Sequence, residues 1–342
     1  GEELFDHLDG MFAIAIWDVR EKRLVLGRDR LGKKPLVYAE TPAGFYFASE
    51  IGALLKLGVI SREVDEEAIA LYLSLQYIPS PHTAFREVRK LMPGHRMIVQ
   101  GGTIVSQSAY WELPVPPAHE RPADYNEAIE VLRDRFIAAV RRRLIADVPL
   151  GAFLSGGVDS SITVATMAQI CNDPVQTFSI GFSDKDFDES GYAAQIAERF
   201  GTKHRQFEAK AADLEILKKA VGVMGEPFAD QSIIPTYLVS RQTRQYVTVA
   251  LSGDGGDELF GGYKRYRQLE RAHDWETAGM LGLWKFGRRV SLSLERLVNP
   301  RRRHILFPNG PVDEILDLPE PQRYLRLLGF FSGDQQEALW PP

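Results

Sequence analysis

The spacing of apolar residues changes once along this chain. In the first part they come as short runs: Gly10 to Asp18 holds Met11-Phe12-Ala13-Ile14-Ala15-Ile16-Trp17, and others lie at Arg23 to Gly27, Leu36 to Ala39, Gly44 to Ala48 and Arg96 to Gln100. Gly32, Pro35, Pro42, Gly44 and Pro93-Gly94 punctuate them, so each reads as a strand closed by a turn, with Glu66 to Leu75 as the helix of the region. From 113 to 124 the chain carries Pro114, Pro116, Pro117 and Pro122 with few large apolar side chains, which predicts an extended connector. Beyond it Ile129, Leu132, Phe136, Val140 and Leu144 recur at three and four residues, an amphipathic helix that ends near Asp147, before Pro149.

After that helix, strand and helix patterns alternate. Leu150 to Leu154, Val175 to Phe182, His204 to Phe207 and Tyr246 to Leu251 read as strands, and Ser160 to Ile170, Tyr192 to Phe200 and Leu214 to Val223 as helices. Such alternation predicts a doubly wound parallel sheet, whose ligands bind beyond the carboxyl ends of its strands. The expected class is α/β overall, with a β-rich α+β domain over 1–112, a connector over 113–124 and a parallel-sheet domain over 125–342.

Composition narrows the picture. With 342 residues, 44% hydrophobic and 25% charged, the chain has the profile of a globular protein and not of a fibrous or low-complexity one. A net charge of −5 gives no overall attraction to nucleic acid or anionic membrane; Arg288, Arg289, Arg301, Arg302 and Arg303 read as a solvated face. No run approaches the ~20 apolar residues of a membrane span, and no signal-peptide pattern opens the chain, so the cytoplasm is expected. The single cysteine, Cys171, excludes an intrachain disulfide and reads as a small buried apolar residue. The seven histidines show no metal-ligand spacing.

Two segments carry chemistry. Leu154-Ser155-Gly156-Gly157-Val158-Asp159-Ser160-Ser161 lies between a strand and a helix, where glycines let the backbone approach an anion and the first helical amides surround it. It lacks the Gly-Lys-Ser/Thr ending of a Walker A loop. The plain alternative is a turn in which Asp159 or Ser160 caps the helix. Ser252-Gly253-Asp254-Gly255-Gly256-Asp257-Glu258 follows another strand, and its three carboxylates call for a cation. With Asp159 they could hold Mg²⁺, or the segment is a solvated acidic turn.

Together these loops make the sequence recognisable. Ser155 to Ser161 resembles the pyrophosphate-binding loop of ATP pyrophosphatases, and the second loop with Leu259-Phe260-Gly261-Gly262-Tyr263 resembles the synthetase domain of glutamine-dependent asparagine synthetases. Gly27-Arg28-Asp29-Arg30-Leu31-Gly32-Lys33-Lys34-Pro35 and the strand Asp9 to Asp18 look like the later part of that family's glutaminase domain, of the N-terminal nucleophile type. The resemblance implies ATP and Mg²⁺ as cofactors and a partial domain at each end. It puts Ser155, Gly156, Gly157, Asp159, Ser160 and Ser161 on pyrophosphate, Asp159 and Asp257 at Mg²⁺, and Phe153, Ile180 and Gly253 along the nucleotide. Tyr263 stands where the family has a site tyrosine. Asp254 replaces a frequent Glu assigned to helping ammonia attack. Glu226-Pro227-Phe228-Ala229-Asp230-Gln231-Ser232 matches a stretch beside the family's site.

The implied reaction is adenylation of aspartate to β-aspartyl-AMP and its amidation by glutamine-derived ammonia, giving asparagine, AMP and pyrophosphate. Aspartate and glutamine are then the small-molecule partners; a homodimer is compatible with this, and nucleic acid and membrane are not expected. The glutaminase cysteine, its Asn-Gly element and the late catalytic lysine do not occur, so the sequence reads as clipped at both ends and without glutaminase activity of its own. A β-lactam-type synthetase or other amidotransferase with another carboxylate acceptor, and a non-catalytic nucleotide-binding module, remain as rivals.

Overall fold

The computed structural model describes residues 2–115, 124–182, 188–209 and 214–280, and of the last part 315, 316, 318–329, 331, 335, 338 and 339. The arginine run and most of the Pro-rich stretch lie outside the described residues. Two compact units form, Gly1–Ile69 with Tyr77–Asp254, and Ala70–Gln76 with Gly255–Pro342.

The first unit holds three sheets. β1 (Ala13–Asp18), β2 (Arg23–Arg28), β6 (His95–Gln100) and β7 (Thr103–Ala109) form one antiparallel sheet in that order, and β4 (Gly44–Ala48), β3 (Val37–Thr41) and β5 (Arg89–Lys90) another. Alternation along β3 links them: Val37 and Ala39 pack with Ile51 and Leu54 of α1 (Ile51–Leu55), while Tyr38 packs with Leu26, Leu91 and Met97. The Arg28 guanidinium is buried and donates to the carbonyls of Lys34, Leu91 and Gly32 at 3.0, 2.6 and 2.8 Å. Buried Asp29 accepts the amides of Lys33 and Lys34 at 2.9 and 2.8 Å. The charged Gly27-to-Pro35 stretch therefore braces its own loop. α2 (Glu66–Leu75) has the predicted limits.

The third sheet is parallel, in the order β10 (Lys203–Ala209), β9 (Gln176–Phe182), β8 (Leu150–Phe153), β11 (Val249–Leu251). α3 (Tyr125–Arg143), α4 (Val158–Ile170) and α5 (Ser190–Arg199) cover one face, where Val140, Ala152, Leu154, Val164, Met167 and Ala193 form a core. Against the other face, α7 (Ile233–Thr243) packs through Val239 onto Phe178, beside Phe153 and Ile180; α6 (Leu214–Met224) precedes it. Strand order reverses at β8, whose neighbours are the next strand in sequence on one side and the last on the other, so the loops after β8 and β11 flank the switch point where such sheets bind ligands.

Some elements differ from the sequence expectation. α3 ends at Arg143, short of Asp147, and α4 begins at Val158, two residues before the expected Ser160. The helix is not capped by Asp159 or Ser160: Gly157 holds the N-cap position and no side chain caps it. Cys171 is only half-buried, at the carboxyl end of α4, where partial burial pushes its thiol pKa up. β7 and α7 were not expected; β7 has two large apolar residues in seven, and Pro235 interrupts the reading of α7 although it sits in the first turn, where proline is tolerated.

In the second unit, α8 (Gly256–Phe260) is one short helix between Gly255 and Gly261, both left-handed at φ 91° and 67°. α9 (Lys264–Thr277) packs against α10 (Glu320–Leu328) over Ala272, Ile315 and Leu316, and Arg323 reaches Glu276 at 2.8 Å. Among the described residues no helix is long and apolar enough to cross a membrane.

Candidate functional site

Ser155 to Ser161 folds as a closed turn into α4. Gly156 takes φ +87°, and a Cβ there would lie 2.7 Å from the Ala193 amide nitrogen of α5, so only glycine fits. The Ser155 and Ser160 hydroxyls stand 3.0 Å apart. Ser160 donates to the Gly157 carbonyl at 3.2 Å and accepts the Ser155 amide at 3.3 Å, while Ser155 Oγ accepts the Gly157 amide at 3.3 Å. These two hydroxyls hold the loop in shape. Ser161 Oγ differs, being buried with no hydrogen-bond partner among the described residues. With no side-chain cap, the first-turn amides of α4 are offered to an anion from outside.

The second loop lies on the first. A Cβ at Gly253 would come 2.6 Å from the Ser160 nitrogen and 2.8 Å from the Asp159 carbonyl carbon. β11 pairs with β8 through Val249, Ala250 and Leu251, which brings the two loops to the same sheet edge. Asp254 Oδ2 accepts the Ser252 hydroxyl at 2.9 Å. Phe153 ends β8, Ile180 lies two residues before the end of the neighbouring β9, and both turn their side chains into the Phe178 cluster; the Leu154 amide donates to the Phe178 carbonyl at 2.8 Å.

Asp257 and Tyr263 belong to the second unit. A Cβ at Gly262 would collide with Asp257 Oδ1, so glycine lets the chain close over that carboxylate. Tyr263 donates to Glu258 Oε1 at 2.7 Å and lies 3.7 Å from the Arg265 guanidinium. That bond to Glu258, with partial burial and the nearby carboxylates, pushes the Tyr263 phenol up to about 12. Asp254 and Glu258 thus have separate partners, Ser252 and Tyr263, and among the described residues no group of three His, Cys, Asp or Glu side chains is assembled for a metal. Mg²⁺ bound with a nucleotide needs only one or two carboxylates, the rest being water and phosphate oxygens, and Asp159, in the first turn of α4, has the chemistry for that demand.

Sequence reasoning passed over Asp188 and Ser190. Asp188 accepts the Ser190 amide and hydroxyl at 3.2 and 3.0 Å and the Phe182 amide at 3.4 Å, which holds its carboxyl below the ordinary range and ties the end of β9 to the start of α5. An Asp-x-Ser ahead of a helical pattern was the available signal. Arg265, stacked on Tyr263, had none.

Comparison with known proteins assigns the family. Residues 131–323 match the model of asparagine synthase, and residues 1–111 that of the glutamine amidotransferase domain. The chain belongs to the asparagine synthase family. It is similar to a putative glutamine-hydrolysing asparagine synthetase 2 of Methanocaldococcus jannaschii, 38% identical over 77% of this chain and 51% of that one. It is also similar to asparagine synthetase 1 of Bacillus subtilis, at 35% over 78% and 42%. A more distant relative is the amidase chyE of Penicillium rubens, 28% identical over 80% and 43%. The chain spans about half the length of these family members.

Proposed function

We propose that this chain carries the ATP-using part of a glutamine-dependent asparagine synthetase, with part of its glutaminase domain over 1–112 and a connector over 113–124. The observation that supports it is the uncapped start of α4 with Gly253 against its first turn, two strand-end loops forming one anion cradle at the switch point. The aspartate carboxylate attacks the α-phosphorus of ATP and pyrophosphate leaves; ammonia then attacks the acyl carbon, loses a proton and displaces AMP. The amides of Val158 and Asp159, at the start of α4, meet the charge that grows on the leaving pyrophosphate, an electrostatic contribution. Gly253 and the backbone at Phe153 and Ile180 line the nucleotide. Asp159 and Asp257 are the carboxylates that would serve Mg²⁺, whose charge would offset that of the phosphates. Asp254, with Ser252 on its Oδ2, faces the acyl group and incoming ammonia. Glutamine is the ammonia donor of the whole protein, and the cytoplasm its compartment.

Pyrophosphate exchange across a panel of carboxylates tests the reading. Aspartate is expected to drive exchange, Asp257→Asn to impair it, and Asp254→Asn to spare it while lowering amide formation. The amidase relative favours one second reading, the same activation chemistry on another carboxylate, which exchange with a different acid alone would establish.

A further inference from the structure

Outside the nucleotide loops, a partly buried ion pair joins the antiparallel region to the segment between α6 and α7. Lys90 Nζ lies 2.5 Å from Glu226 Oε1, the side chains being 17% and 13% exposed. Lys90 also donates to the Ile78 carbonyl at 2.7 Å, and Glu226 Oε2 accepts the Ala84 amide at 3.3 Å. Gly225, at φ +75°, ends α6 against α1, where a Cβ would stand 3.4 Å from Ile51 Cβ. Both charges keep additional hydrogen bonds, as a buried pair must if attraction is to offset desolvation.

Topology sets where this segment leads. α7 runs through the Val247 amide bond to Thr243 into β11, and the Thr248 amide donates to the Pro149 carbonyl at 2.9 Å, beside the amino end of β8. A helix of 11 residues that finishes at the amino edge of a sheet begins about 16 Å away, at the carboxyl edge. Asp230, Gln231 and Ser232 precede it, all exposed, with Asp230 Oδ1 accepting the Ser232 amide at 2.8 Å. The anchored segment thus ends in a polar turn on the same edge as Ser155 to Ser161 and Gly253.

We propose that Lys90 and Glu226 are positioning residues, whose ion pair fixes the Asp230–Ser232 turn where the carboxylate acceptor binds. The inference rests on the ligase reading given above. A residue more than a hundred positions upstream, in the amidotransferase-like region, thereby sets acceptor recognition at the synthetase site without touching substrate.

The test compares Lys90→Met, Glu226→Gln, the double variant and Lys90→Arg in the whole protein. Each of Lys90→Met and Glu226→Gln is expected to lower the melting temperature, and the double variant to recover most of it, because no buried charge is then left alone. Positioning predicts that the acceptor KM in pyrophosphate exchange stays raised about ten-fold in the double variant, with kcat and ATP affinity little changed and Lys90→Arg near the parent. Amide hydrogen exchange over 226–232 is expected to quicken about ten-fold in the double variant, with α4 and β9 unaltered. Acceptor KM and exchange that return to parent values together with stability would overturn the inference. Should the parent exchange pyrophosphate with no carboxylate, the ligase reading fails, and unaltered hydrogen exchange over 226–232 in the double variant would overturn the positioning claim separately.

Discussion

A Cβ on Gly253 would stand inside van der Waals contact with backbone atoms of Asp159 and Ser160, which cannot step aside as a side chain could. Gly253→Ala is therefore expected to destabilise the fold by about 1–3 kcal/mol, the range for overpacking, and to weaken ATP binding by at least about ten-fold, since relief requires the two loops to part. Urea unfolding and calorimetry check both. Ser161 makes the opposite prediction. Its buried hydroxyl lacks a partner, so Ser161→Ala is expected to raise the stability of the nucleotide-free protein by about 1 kcal/mol, read from the denaturation midpoint. His204 lies between Thr177 at 3.0 Å and Ser179 at 3.1 Å, and burial pushes its pKa down. The folded state then binds fewer protons than the unfolded one, so stability falls as pH drops from about 6.5 toward the lowered value. His204→Gln is expected to flatten the melting temperature between pH 7 and 5; an unchanged slope would assign the acid sensitivity elsewhere.

Among elements, α9 and α10 depend on a pair that is buried at one end only. Arg323 is 5% exposed and Glu276 46%, and Arg323 Nε also donates to the Leu318 carbonyl at 3.0 Å. Removing the arginine leaves a carboxylate that water can reach, so Arg323→Ala is expected to cost about 1–3 kcal/mol, less than the loss of a fully buried pair. Hydrogen exchange is expected to quicken in α10 and stay unchanged in the parallel sheet. Periodicity made most elements legible: α2 and β4 match their predicted limits, and α3 was visible as a 3.6-residue repeat. β7 was not, because a strand with few apolar residues takes its conformation from the ladder with β6. α7 was hidden by Pro235, which a helix accepts only in a first turn that the sequence does not mark.

Over the whole molecule, the amidotransferase-like and synthetase regions meet within the first compact unit. The Arg142–Asp9 pair is exposed, 62% and 64%, and contributes little. The Lys90–Glu226 pair is far less exposed, 17% and 13%, and Gly225 lies against α1. Cleavage by a Glu-specific protease after the exposed Glu112 is therefore expected to leave two fragments that co-elute on size exclusion, and fragments that separate under native conditions would reject a stable association.

The sequence by itself determined what near neighbours decide: the change from short strands to alternating strand and helix, the two Gly-rich loops at strand ends, and hence the family. Those signals are local, since glycine at a tight turn or apolar residues on one helix face act over a few positions. Tertiary structure alone decided which loop atoms meet. It laid Gly253 on Asp159 and Ser160, gave Asp254, Asp257 and Glu258 separate surroundings, and paired Lys90 with Glu226. Each is a contact between residues distant in sequence or a choice among nearby polar groups. No local propensity encodes it, because its free energy exists only once the chain has returned on itself and water has been excluded.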